Sequence, residues 1–233
     1  AFTGTNTLTA LDAYGNVVTG FDASGNNITV TTSLSGTISG LSGSTKLNNA
    51  SDFVNGVSSV SGLTYTGVSG TGTFTFTPAT GTAVTSGNVT IGAGAATKFI
   101  ITGSSTQTAG GSQTITITAK DASGNTATGY TGAKSLTFSG ANASSSPSTN
   151  PTVSSTDFGT ATSVTFSNGV ATASLSLYKA ESAVVVATDG SVTTSGSDRL
   201  SITVSPASFA KLSVSLASPQ INGVAFTGSN TLT

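Results

Sequence analysis

Eight carboxylates and seven cations are the residues of this 233-residue chain best able to do chemistry, and histidine and cysteine are both absent. Without imidazole or thiolate there is no familiar base for a serine hydroxyl, no sulfur nucleophile and no nitrogen–sulfur zinc site. Glu181, the sole glutamate, stands two residues from Lys179 and lacks the second acid that glycoside hydrolysis requires. Lys98, Lys134 and Lys179 could by type join an asparagine in an intramolecular isopeptide bond, yet no donor and acceptor spacing marks one. The remaining acids, Asp22, Asp52, Asp157, Asp189 and Asp198, are scattered singly, too sparse for the six to eight oxygens of a calcium cage. No G-x-S-x-G elbow occurs, and the Gly-rich GAGA at 92–95 runs toward a strand where a phosphate loop needs a helix start. The expectation is a chain with no catalytic residue, no cofactor and no metal.

Two acids recur in one pattern. ALDAYGNVVTGF at 10–21 matches TAKDASGNTATGY at 118–130, pairing Asp12 with Asp121, Gly15 with Gly124 and Asn16 with Asn125. An Asp followed by Gly-Asn suits a tight turn, because the carboxylate can accept backbone N–H bonds and Gly can take positive φ. These six residues are therefore expected to be structural turn residues. Asn27, Asn49, Asn88 and Asn142 each open an Asn-x-Ser/Thr sequon. With 84 Ser and Thr in the chain such triplets arise by chance, so they are weak glycosylation candidates. The Ser-rich stretch 139–157 is expected to be an exposed connection and a candidate for O-glycosylation.

The elements that must position these residues read as strands. Runs such as TITITA near Ile115, SLTFS near Leu136, SVTFS near Val164 and ASLSL near Leu175 alternate apolar residues with Ser or Thr. Adding FII at 99–101, SAVVVAT at 182–188 and LSITV at 200–204 gives seven strands in about 100 residues, the count of an immunoglobulin-like sandwich. No stretch carries helical periodicity. The predicted class is all-β, with tandem immunoglobulin-like antiparallel sandwiches of about seven strands each.

Organisation follows from repetition. AFTGSNTLT at 225–233 copies AFTGTNTLT at 1–9 with one change, Ser229 for Thr5, so the period is 224 residues. The segment 62–79 also resembles 163–180, and seven residues separate Ile91 from Lys98 and Val204 from Lys211. The expected units are 1–95, a sandwich lacking its opening strand in this window; 96–207, a complete sandwich; and 208–233, the opening strands of the next copy of the first unit. GAGA is expected to be a flexible joint.

The pairing of A-x-D-A-x-G-N-x-x-T-G-[YF] with a later F-x-N-G-V-A strand resembles bacterial immunoglobulin-like repeat domains of the invasin and intimin type, found in surface adhesins, surface-layer proteins and filaments. The resemblance implies a cell-surface or extracellular location and a mechanical or adhesive role. The expected function is a non-catalytic structural repeat of a long fibre, stalk or surface layer, with other copies of itself as partners through covalent repeats, lateral contacts or donor-strand exchange. The alternative is an adhesin repeat gripping glycans or a host surface through exposed loops. A net charge of −1 offers no field for nucleic acid, and no apolar run approaches the roughly 20 residues of a membrane helix.

Overall fold

Alternation of apolar and hydroxyl side chains gives each strand one face for a core and one for water, so two sheets close on each other. The computed structural model describes residues 2–232, and it realises this most fully between residues 98 and 205. One sheet there orders strands Lys98–Thr102, Ser112–Lys120, Val170–Ser176, Thr152–Val153 and Thr156–Asp157. The facing sheet orders Thr106–Thr108, Leu200–Ser205, Ser182–Thr188, Gly132–Ser139 and Ala161–Phe166. Every pairing is antiparallel except Thr106–Thr108 with Leu200–Ser205. The chain thus enters along one sheet and crosses to the edge of the other, which ties both sheets through one segment.

All seven strands read from the sequence are present, with the first, second and fifth in one sheet and the third, fourth, sixth and seventh in the other. The first, second and fifth strands facing the third, sixth and seventh is the arrangement of an immunoglobulin-like sandwich, with the fourth strand placed beside the third. Between the sheets lies one apolar cluster that includes Phe99, Ile115, Ile117, Leu136, Phe138, Phe166, Leu175 and Ile202. Full burial of each such side chain stabilises by about 1.5–3 kcal/mol. The Phe99 ring stacks on Phe166 at 5.9 Å, and Tyr130 meets both rings edge-on at 5.5 and 4.9 Å. Tyr130 also donates a short hydrogen bond from its hydroxyl to Asp189.

Residues 7–91 form smaller sheets. Lys46–Leu47, Ile28–Thr32, Phe74–Pro78 and Val84–Thr85 make a four-stranded sheet. Three two-stranded pairs accompany it: Thr7–Thr9 with Val57–Ser59, Gly36–Ser39 with Thr64–Gly67, and Gly70–Gly72 with Val89–Ile91. The core is divided, one cluster around Ile28, Leu47 and Phe53 and another around Val30, Leu63 and Phe74. Strand Thr7–Thr9 pairs on one side only, with Val57–Ser59.

Two expectations are corrected. The internal repeat runs in a different register from the 62–79 and 163–180 match: Val54 and Val57 exchange hydrogen bonds as Ser167 and Val170 do, and Ala10 N–H reaches Gly56 O as Ala119 N–H reaches Gly169 O. FVNGV at 53–57 is therefore the counterpart of FSNGV at 166–170, because the hydrogen bonds, unlike the strand texture, distinguish one Ser/Thr-rich hairpin from another. The 139–157 stretch is not wholly exposed, because Pro151 and Val153 are buried and Thr152–Val153 extends a sheet beside Leu175. Within 208–232, Val214–Ser215 pairs with Thr231–Leu232. No helix among the described residues is long and apolar enough to cross a membrane.

Candidate functional site

Asp121 follows directly on strand Ser112–Lys120, where the chain must reverse, and its carboxylate replaces the sheet as hydrogen-bond acceptor. Oδ1 accepts the N–H groups of Ser123 and Asn125 at 2.9 and 2.8 Å. Oδ2 accepts the Asn125 side-chain amide at 2.9 Å and the Gly94 N–H at 2.8 Å. Gly124 takes φ +83° to close the turn. Four donors occupy the lone pairs a cation would need, so this carboxylate serves as a hydrogen-bonding hub. Burial pushes the Asp121 pKa up, but the hydrogen bonds from Asn125, Gly94 and Ser123 outweigh it and hold the acid below its usual range.

The same turn fastens what precedes it. The Asn125 side chain donates to Gly67 O at 3.1 Å and accepts the Ser69 N–H at 2.9 Å, meeting the link between strands Thr64–Gly67 and Gly70–Gly72 as a strand edge would. With Gly94 bound to Asp121, the segment 92–95 is held at its centre. The expectation of a freely flexible joint is corrected: a glycine without a side chain can still be fixed through its backbone amide.

Asp12, Gly15 and Asn16 repeat the turn's internal bonds. Asp12 Oδ1 accepts the N–H groups of Tyr14 and Asn16 at 2.9 and 2.8 Å, and Oδ2 accepts the Asn16 amide at 3.0 Å. Gly15 has φ +85°. The Asn16 hydrogen bonds lower the Asp12 pKa. Surroundings differ, however: Asp121 is buried and Asp12 exposed, and Tyr14 is 92% exposed. Among the described residues nothing plays toward Asn16 the part that Gly67 and Ser69 play toward Asn125.

The other candidates have local roles. Lys98 pairs with Asp198 at 3.1 Å, Lys179 with Glu181 at 3.2 Å, and Lys134 lies 4.9 Å from the Tyr130 ring centroid. Glu181 also accepts the Asn142 N–H at 2.7 Å and its amide at 2.8 Å. Burial raises the Glu181 pKa, but these donors and Lys179 lower it more. Asn27, Asn49, Asn88 and Asn142 are all exposed, with only the Asn142 amide engaged by a carboxylate. Among the described residues no group of three His, Cys, Asp or Glu side chains gathers as metal ligands.

Two features were not legible in the sequence. Ser58 is buried with its hydroxyl unpartnered. A cavity of about 180 Å³ lies beside strand Thr7–Thr9, lined by Leu8, Ala10, Phe21, Ile28, Phe53 and Phe76. Phe21 and Phe53 meet edge-on at 4.7 Å, as Tyr130 and Phe166 do in the second sandwich. The partner corresponding to Phe99 is missing from this pair.

These observations define the class: an immunoglobulin-like β-sandwich chain whose turn hub joins consecutive units. No protein-family model and no curated protein matches the sequence. Among solved structures, domains 4–9 of the surface-layer protein SbsC are similar at 18% identity over 93% of this chain and 28% of that one, with TM-score 0.33. InvD of Yersinia pseudotuberculosis is similar at 24% identity, covering 96% of this chain and 60% of that one, with TM-score 0.38. A glycosyl hydrolase family 2 member from Bacteroides cellulosilyticus is similar at 16% identity over 76% and 23% of the two chains, with TM-score 0.35. The chain spans between about a quarter and three-fifths of the length of these structures.

Proposed function

We propose that this chain is a non-catalytic structural segment of a long tandem array, a fibre, stalk or surface layer at the cell exterior. The observation that carries the reading is a register. Val214 pairs with Leu232, and Ser215 with Thr231, as Ile101 pairs with Ile117 and Thr102 with Thr116. Thr231 and Leu232 copy Thr7 and Leu8 in sequence. The carboxyl-terminal segment thus has the pairing of an opening strand pair for another copy of the first unit. The Asp121–Asn125 hub supports the mechanical side of the reading, because bonds to a joint at Gly94 and to the link at Gly67 and Ser69 restrict bending.

Limited proteolysis of the native protein on intact cells tests this. Cleavage at joints should release fragments spaced by one period, near the 22.5 kDa of this chain. A single intracellular species of that mass would overturn it.

A further inference from the structure

The first sandwich has an open seam. Ser112–Lys120 is flanked on both sides, by Lys98–Thr102 and Val170–Ser176, whereas its counterpart Thr7–Thr9 pairs only with Val57–Ser59. An unpaired strand edge next to an apolar cavity is a template for strand addition. Three independent features specify what fits.

The first is side-chain pattern. In the second sandwich Phe99 and Ile101 are buried opposite Ala119 and Ile117. Seven residues separate Ile91 from Lys98 and Val204 from Lys211, which places Leu212 and Val214 as the counterparts of Phe99 and Ile101. Leu212 and Val214 are 64% and 65% exposed, so their apolar faces are uncovered. The second feature is the cavity itself, in which Phe21 and Phe53 stand where Tyr130 and Phe166 clasp Phe99. Its volume of about 180 Å³ accommodates an aliphatic side chain.

The third feature is a polar latch. Asn230 accepts the Ala217 N–H on its side-chain oxygen at 2.8 Å while its amide donates to Thr227 O and Gly228 O. Asn6, one period earlier, makes the same amide bonds to Thr3 O and Gly4 O. Among the described residues no donor meets the Asn6 side-chain oxygen. Gly4 and Gly228 also share a positive φ, +82° and +83°, so the two asparagines sit on one local conformation.

We propose that the free edge of Thr7–Thr9, the cavity under Phe21 and Phe53, and the Asn6 side-chain oxygen together form an acceptor groove for segment 209–217 of a second copy of this repeat. Leu212 seats opposite Ala10 with its side chain in the cavity, Val214 lies opposite Leu8, and the Ala217 N–H donates to Asn6. In a continuous polypeptide the preceding repeat supplies the segment. Between separate chains the same contact is a head-to-tail strand exchange. Between separate chains, insertion exchanges the short pairing with Thr231–Leu232 for a longer one and covers side chains that are otherwise wet. The proposal deepens the array reading by naming the contact that joins successive copies.

The test uses the 233-residue chain with a synthetic peptide of residues 208–219. Sedimentation of the chain alone should show concentration-dependent head-to-tail oligomers, and excess peptide should reduce them to monomer. Amide exchange at Thr7 and Thr9 should slow at least tenfold with peptide bound. Leu212→Asp with Val214→Asp should abolish oligomers without unfolding, since both side chains are exposed in the chain itself, and the variant should still bind wild-type peptide. A chain whose Thr7 and Thr9 amides exchange equally with and without peptide overturns the groove. The array reading fails separately, through cell-surface fragments that lack the period, whatever the peptide does.

Discussion

At the residue scale, one side chain is out of keeping with its surroundings. Ser58 lies on strand Val57–Ser59, buried and without a hydrogen-bond partner, and the aligned FSNGV hairpin places Ala171 at the equivalent position. A buried hydroxyl that loses water without gaining a partner costs about 1–3 kcal/mol. Ser58→Ala is expected to stabilise the first unit by about 1 kcal/mol, measured by chemical denaturation. The acids give a pH signature. Burial raises the Asp189 pKa, but the hydrogen bonds from Tyr130, Val192 and Ser191 lower it further, and Asp121 shifts in the same direction. An acid whose folded pKa lies below its unfolded value binds its proton more weakly when folded, so the stabilisation is complete above the ordinary 3.8 and is lost as pH falls through the depressed values. The unfolding midpoint should therefore hold steady from about pH 7 to 5 and drop at lower pH. Asp189→Asn should lessen that drop while preserving an acceptor for the Tyr130 hydroxyl.

At the element scale, the two FxNGV hairpins are matched. Gly56 and Gly169 have φ +78° and +80°, and a Cβ would stand 2.6 Å from Val18 O and 2.7 Å from Ala127 O respectively. Asn55 and Asn168 precede them with φ +51° and +48°, a conformation asparagine tolerates better than most residues. Backbone space and backbone angle both select glycine, so Gly169→Ala should cost well over about 1 kcal/mol. Thermal unfolding followed at the second sandwich would measure it, and an unchanged midpoint would show that the hairpin can shift. FSNGV is legible in the sequence, but its counterpart is not, because many Ser/Thr strands look alike at period two. The hydrogen bonds from Ala10 and Ala119, together with those exchanged within each hairpin, distinguish them.

At the scale of the whole molecule, one turn connects units that otherwise share no sheet. Asn125→Ala removes two bonds to the preceding 67–69 link and the side-chain amide bond to Asp121 Oδ2, while leaving the Asp121 bonds to Ser123, Asn125 N–H and Gly94 in place. The second sandwich should lose about 1–3 kcal/mol with the bond to the buried carboxylate, and the orientations sampled between units should broaden, read as an altered small-angle scattering profile and reduced alignment in residual dipolar couplings. A scattering profile equal to wild type would mean that Gly94 alone fixes the joint.

Sequence by itself determined the strands of the second sandwich, because a period of two with β-branched and aromatic residues leaves the backbone one economical way to hide an apolar face. It also determined the two Asp-x-x-Gly-Asn turns and the 224-residue period, since these are local patterns or direct copies. Tertiary structure decided which hairpins correspond, that GAGA is pinned at Gly94, and that Pro151 and Val153 enter the core. It alone disclosed the cavity beside Thr7–Thr9 and the open acceptor on Asn6. These depend on contacts between residues far apart in the chain, and a low-complexity alphabet of Ser, Thr and Gly carries too few distinct side chains to encode such contacts legibly.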